Sequence, residues 1–323
     1  MKRHWTRRRL AAASILLAAP AFAQAAFPSR PIRLVVPFPA GGGTDVVARI
    51  YAAKLATLLG QPVVVENRAG AGGNLGLEHA IRAAPDGHTL VLSSNGPVAV
   101  NRFLYPNLPF DALRDLAPIS LAFRIEQALV VRPGLPAASL AEFLALARAR
   151  ELSWGSGGTG STLHLAGALF NLRAGVRLLH VPYRGSAPAL AGLLAGDIDA
   201  MFDSLPSCVP QIRAGRVRAL ALCGLARHAL LPDLPTMREA GVADYATGTW
   251  GAVFAPAGTP PAIIARLADA TRQALSDPAT RDDLARAGGD AEASTPAALA
   301  AMLRAEVALW GPVVREAGVT PPG

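Results

Sequence analysis

The stretch Ile32-Arg33-Leu34-Val35-Val36-Pro37-Phe38-Pro39-Ala40-Gly41-Gly42-Gly43-Thr44-Asp45 decides the fold. A short apolar run stops at proline and glycines follow. The next segment places Val46, Val47, Ile50, Tyr51, Leu55, Leu58 and Leu59 at helical spacing, and Gly60 ends it. Buried strand, glycine turn and helix are thus written in order. The unit then repeats. Residues 63–66 predict a second strand, Gly70-Ala71-Gly72-Gly73-Asn74 opens a second helix, and the turn Pro85-Asp86-Gly87 precedes a third strand at 89–93. This alternation predicts an α/β fold with a parallel sheet covered on both faces.

The pattern restarts beyond Pro133. Helices are expected at 140–150, 162–173, 188–194 and 206–214, and strands at 152–154, 177–181, 198–202 and 217–222. After an extended run at 248–255 the remainder reads as helix: 261–275, 279–287 and 296–317. A helical tail with no sheet of its own must bury its apolar face on the first unit. The chain therefore crosses twice, near 119–131 and 247–255. The expected architecture has two lobes, each a mostly parallel sheet flanked by helices and joined by a two-strand hinge. Residues 26–124 and 248–323 form lobe 1 and residues 125–247 lobe 2, with a cleft at the carboxyl ends of both sheets.

Composition narrows the function. The 323 residues are 51% apolar and 17% charged, enough for a sizeable core, with a net charge of +8. Five of the basic residues (Lys2, Arg3, Arg7, Arg8, Arg9) lie in the first 25, which hold no acid, so their removal leaves +3. That segment reads as a signal peptide over residues 1–25. A basic start precedes an apolar run at 10–19 too short for a bilayer, then A-x-A patterns at Ala21–Ala23 and Ala23–Ala25. Thr6-Arg7-Arg8-Arg9-Leu10 also fits a twin-arginine signal, so Sec and twin-arginine export both stay open. No later segment is read as a membrane span, since Pro, Gly or charge interrupts each one. A periplasmic location follows, away from nucleotide pools. The modest mature charge and the lack of aromatic–basic interleaving disfavour nucleic acid as a partner. Two cysteines and six scattered histidines, with no H-E-x-x-H, give no metal signature.

Gly155-Ser156-Gly157-Gly158-Thr159-Gly160-Ser161-Thr162 satisfies G-x-G-x-x-G between a strand and a helix. No Asp or Glu occurs from Leu152 to Gly196, so the ribose-binding acid of a dinucleotide site is missing, and Ser161 stands where a P-loop has lysine. No cofactor is expected. What remains is backbone N–H groups converging at a positive helix end, which binds an anion without a charged side chain. Gly41-Gly42-Gly43 repeats the arrangement in the first lobe, with Thr44 as a helix cap and Asp45 in the first turn.

A hydrolase reading finds no nucleophile elbow, because Trp154 and Thr159 stand two residues before Ser156 and Ser161. His164, in a first helical turn, reads as support for the loop. Tyr183-Arg184-Gly185 and Asp203-Ser204 both follow strands and belong at the cleft edge. Arg184 has two available partners, a ligand carboxylate or Asp203. Cys208 and Cys223 fall near one another in a parallel arrangement, which leaves a disulfide between them open.

From Phe27 onward the chain resembles the substrate-binding receptors of tripartite tricarboxylate transporters, the Bug type. The resemblance is carried by residues 31–38, Gly41–Asp45, Gly60–Arg68, Gly70–Asn74 and Pro85–Gly87. It continues through Ser161–Gly167, His180–Gly185, Met201–Asp203, Leu231–Thr236 and Ala255–Pro260. It implies a type II periplasmic binding protein that closes on a small carboxylate and hands it to transporter membrane subunits, as a monomer and without catalysis. The ligand contacts it implies come from Phe38, Gly41, Gly42, Gly43 and Thr44 and from Ser156, Gly157, Gly158, Thr159 and Ser161. Ser93, Asn95, His164, Tyr183, Arg184, Asp203 and Ser204 complete the candidate set. The chain departs from the family pattern at Phe38-Pro39-Ala40-Gly41, at Ser204 and at Ile125-Glu126-Gln127, where a carboxylate favours an amine over a third carboxylate. A receptor that signals to a membrane kinase is the alternative, and an exported hydrolase a further one.

Overall fold

Ile32, Leu34, Val35 and Val36 have no exposed surface, so β1 (Ile32–Val36) is covered on both faces, as its apolar run requires. The computed structural model describes residues 27–316, and the expected signal peptide lies outside the described residues. The first unit continues with α1 (Gly43–Leu59), β2 (Val63–Asn67), α2 (Asn74–Ile81) and β3 (Thr89–Ser94). A π-helical turn at Gly96–Val100 runs into α3 (Asn101–Leu104), and α4 (Ala112–Asp115) precedes β4 (Leu116–Ile125). The second unit holds β5 (Gln127–Val131), α5 (Leu140–Ala149), β6 (Ser153–Ser156), α6 (Thr162–Ala174), β7 (Leu179–Pro182) and α7 (Ser186–Ala195). It ends with β8 (Ala200–Ser204), α8 (Leu205–Arg213) and β9 (Arg218–Leu222). The chain returns as β10 (Thr249–Pro256), α9 (Pro261–Ser276), α10 (Pro278–Arg286), β11 (Gly289–Ala291) and α11 (Pro296–Glu316).

Two sheets result, ordered β11-β4-β10-β3-β1-β2 and β7-β6-β8-β5-β9. β1 is parallel to β2 and β3, and β6 is parallel to β7 and β8. Antiparallel strands enlarge both parallel centres: β10 against β3 and β4, β11 against β4, and β5 against β8 and β9. The reason is mechanical. β5 and β10 arrive from the other lobe, enter at the carboxyl edge and must run against their neighbours. Glu126 alone separates β4 from β5, so one crossing spans a single residue.

The helical tail covers the first sheet. α9 buries Leu267, Ala270, Ala274 and Leu275 beside α1, where the Tyr51 hydroxyl meets Thr271 Oγ1 at 2.7 Å. α11 packs Leu299, Leu303, Trp310, Val313 and Val314 over β4 and the 96–100 turn. Its 21 residues are long and apolar enough by composition to cross a bilayer, contrary to the sequence expectation, yet this face belongs to the core. Cys208 and Cys223 are both buried free thiols, so the disulfide is not formed. They pack on opposite faces of the second sheet. Cys208 lies among Ala128, Val130 and Leu222, whereas Cys223 lies beneath Tyr245, whose hydroxyl is 3.7 Å from its Sγ.

Candidate functional site

The loop between β1 and α1 is shaped by a buried carboxylate. Asp45, 2% exposed, accepts from the Gly41 N–H at 2.9 Å and Arg49 Nε at 3.0 Å on one oxygen, and from Asn67 Nδ2 at 2.8 Å on the other. The same Asn67 nitrogen donates to the Phe38 carbonyl at 3.1 Å. Burial works against ionisation of Asp45, but the bonds from Arg49, Gly41 and Asn67 outweigh it and hold the carboxyl below its ordinary range. Asp45 thus does more than complement a helix dipole. It folds residues 38–41 into place. Thr44 does not cap α1; the N-cap is Gly42, which offers no side chain, so the first amides of α1 have no side-chain acceptor.

In lobe 2 the loop after β6 is bolted at both ends to stacked imidazoles. Ser156, fully buried, joins its Oγ to His180 Nε2 at 2.7 Å and accepts from the Gly158 N–H at 3.2 Å. The Gly160 N–H donates to His164 Nδ1 at 3.0 Å, and Ser161 caps α6 by accepting from the His164 N–H at 3.3 Å. The two rings stack at 4.1 Å and 14°, with Trp154 against His180 at 4.8 Å. Burial keeps both rings neutral, lowering His164 to about 3, with help from His180, and His180 to about 4. Gly158 and Gly160 take φ of +115° and +81°, which residues with a Cβ rarely adopt.

The lobes touch, and the lobe-2 loop meets the Gly72 turn and the 96–101 segment of lobe 1. A Cβ on Gly96 would lie 2.9 Å from the Gly160 carbonyl oxygen, and one on Gly72 would lie 3.3 Å from the Thr159 carbonyl. A Cβ on Gly160 would lie 2.7 Å from Asn101 Oδ1, and one on Gly185 would lie 3.8 Å from Pro39. Thr162 Oγ1 at the start of α6 meets Thr249 Oγ1 at 2.9 Å. Gly157, Gly158, Thr159 and Ser161 are half-buried, as are Gly42, Gly43 and Thr44 in the loop after β1, while Ser93 and Asn95 are buried at the end of β3.

The remaining candidates separate. Tyr183 turns its ring into lobe 2 against Gly155 and Gly192. Arg184 is exposed, and Asp203 is fully buried with no ion pair between them. Asp203 accepts instead from the Ser204 N–H at 2.9 Å and from Ser207 at the start of α8, and burial raises it to about 7. Ser204 is the N-cap of α8 without a side-chain cap bond. Glu126, at the crossing, is likewise raised to about 7 by burial, against hydrogen bonds from the Gln127 and Gly224 amides. Sequence reasoning missed Gly96, Asn101, Thr162, Thr249 and His180 as parts of this junction. Of these, Thr162 closes the quoted glycine loop and His180 begins the stretch His180–Gly185 that carries the resemblance, so both had a signal.

With both imidazoles of the second loop neutral and Arg49 at the first engaged by Asp45, the arrangement suits holding an anion on backbone amides. A model of the tripartite tricarboxylate transporter family receptor matches residues 47–319. The UPF0065 protein in the tcbD–tcbE intergenic region of Pseudomonas sp. strain P51 is 43% identical over 294 residues, covering 90% of this chain and 87% of that one. Protein BugT of Bordetella pertussis is 41% identical over 305 residues, covering 94% and 93%. Among solved structures, an R. palustris protein with adipate superposes with a TM-score of 0.87 at 36% identity, covering 92% of this chain and 100% of that one. The periplasmic binding protein BugD gives 0.86 at 34%, covering 92% and 100%. MatC from Rhodopseudomonas palustris with bound malate gives 0.84 at 36%, covering 89% and 100%.

Proposed function

The chain belongs to the tripartite tricarboxylate transporter receptor family, and on that premise we propose that it is an extracytoplasmic receptor that captures a small carboxylate between its lobes and delivers it to transporter membrane subunits. It acts as a monomer in the periplasm after export and cleavage of the leader. Lobe 1 is residues 26–124 and 248–323, and lobe 2 is residues 125–247. The observation that carries the reading is the meeting of the lobe-2 glycine loop, at the N-terminus of α6, with the Gly72 and Gly96 turns of lobe 1, while Pro39 of the loop after β1 approaches Gly185 of lobe 2. A ligand touching both loops stabilises the closed arrangement over the open one, so binding and closure are one event. The loops after β1 and β6 supply the contacts, with the buried Ser93 and Asn95 at the end of β3 and Ser204 at the start of α8. Each hydrogen bond to a carboxylate contributes about 1.5–3 kcal/mol. Three or four of them, less the cost of association, suit binding near −8 kcal/mol, about micromolar.

The test is a thermal-shift panel of carboxylic acids on parent and Gly42→Leu proteins. Gly42 has a φ of −76° and its Cβ would meet nothing closer than the Pro39 carbonyl at 3.6 Å, so the fold accepts a side chain there. Gly157 is a poorer choice, with backbone of Gly185 and Ser186 at 3.2–3.3 Å. The parent is expected to be stabilised by at least one acid, and the variant to keep its unliganded Tm and lose that shift. An undiminished shift in the variant removes the first loop from the site.

A further inference from the structure

Glu126 is the single residue between β4 and β5, and its side chain folds back onto the crossing. Its Oε1 accepts from the Gln127 N–H at 2.7 Å, and the Gly224 N–H donates to the same carboxyl, which fills the space that a Cβ on Gly224 would need. The Glu126 carbonyl accepts from the Leu205 N–H at 2.9 Å. A second carboxyl stands close by. Asp290 of β11 is the register partner of Arg124, two residues before Glu126, and its negative charge acts on Glu126. From the other lobe, His228 Nε2 lies 3.6 Å from Asp290 Oδ2. His228 Nδ1 accepts from the Leu230 N–H at 3.2 Å, so the neutral ring carries its proton on Nε2, toward Asp290. The same edge is in contact elsewhere: a Cβ on Gly288 would lie 2.7 Å from the Pro206 nitrogen at the start of α8.

The neighbouring groups are already engaged. Arg124 pairs with Glu292 and Arg227 with Glu239. Burial keeps Cys223 and Tyr245, which adjoin Glu126, un-ionised. Asp203, opposite Ala128 on β8, is bonded to Ser204 and Ser207. With Glu126 and Asp290 both ionised, two negative charges share one junction between the lobes. Protonation of Glu126 removes one of them, and protonation of His228 turns its contact with Asp290 into an ion pair. We propose that Glu126, Asp290 and His228 form a proton-sensitive catch at the hinge, which holds the lobes together when protonated and lets them part when it loses its protons. Burial raises the Glu126 carboxyl to about 7, which puts the change near neutrality. Opening hydrates that carboxyl, so its ionised form favours parted lobes. The catch goes beyond the receptor reading, because no ligand takes part in it.

Single-molecule energy transfer on the unliganded mature protein tests the proposal. Cys208 and Cys223 are fully buried, so dyes attach at Val64→Cys and Leu179→Cys, two exposed positions on the outer strands of the two sheets. The ratio of closed to open molecules is expected to fall about three- to tenfold from pH 6 to pH 8, as for release of about one proton on opening. Glu126→Gln in the same background is expected to hold the ratio nearly constant, and His228→Gln to lower it at pH 6. A parent ratio unchanged between the two pH values, a single population at both included, overturns the proposal. So does a parent-like response in Glu126→Gln. Should that variant fail to fold, Asp290→Asn, whose side chain is exposed, is expected to reduce the change to less than half, and a full change there overturns the proposal. None of these outcomes bears on carboxylate capture, which the thermal-shift panel decides separately.

Discussion

A single methyl group placed on Gly96 is expected to act as a doorstop. The three atoms nearest to a Cβ there are the Gly160 carbonyl oxygen at 2.9 Å, the Thr162 nitrogen at 3.9 Å and the Gly160 carbonyl carbon at 4.0 Å, all from the opposite lobe. The φ of Gly96 is not in the left-handed region, so Gly96→Ala carries no backbone strain. Ordinary contact would require the Gly160 backbone to retreat by about 0.5 Å, and overpacking of this kind costs about 1–3 kcal/mol. The cost falls on the closed arrangement alone, because parted lobes leave the methyl free. Kd is therefore expected to rise roughly 5- to 150-fold, read by isothermal titration with the tightest acid from the panel. Urea unfolding of the unliganded variant is expected to stay within about 0.5 kcal/mol of the parent. Unchanged affinity would mean that these atoms do not meet in the bound state. A loss of unliganded stability as large as the loss of binding would mean that the contact is permanent core and not closure.

Removing the Asp45 carboxylate in Asp45→Ala breaks three bonds to one buried group, and is expected to cost about 2–4 kcal/mol at pH 7. The folded carboxyl titrates below its unfolded value, so the stabilisation is present above that value and the gap in urea unfolding should narrow as pH falls below 4. Asp203 has the opposite sign. Its raised folded value, about 7, penalises the ionised form, so stability falls as pH rises from about 4 to 7, by an amount on the order of a few kcal/mol. Asp203→Asn is expected to exceed the parent in stability at pH 8 and not at pH 4; lower stability at both pH values would contradict the assignment.

The architecture was legible because its periodicities are local. The apolar run at 32–36, the helical spacing over 46–59 and the glycine turns that follow strands each report on a few neighbouring residues. Both glycine loops and both crossings were found on that basis. The antiparallel entry of β5 and β10 follows from the crossings once the hinge edge is fixed. What stayed hidden depends on contacts between residues far apart in the chain. Nothing around Gly96 reports that Gly160 lies opposite, and nothing in the letter order says that Asn67 will hold the Phe38 carbonyl. The cysteines mislead for the same reason: closeness along a β–α–β path says nothing about which face of the sheet each thiol takes.

The stacked imidazoles set how far external acidity can reach into the second glycine loop. With His180 near 4 and His164 near 3, even at pH 5 only about a tenth of the molecules would hold an extra proton on the more basic ring. The Ser156 and Gly160 attachments are thereby insulated from the milieu across a thousandfold change in proton concentration, from pH 8 to about 5. Acid sensitivity of capture in that range would then not come from these rings, whereas the carboxyls at Glu126 and Asp203 titrate close to neutrality.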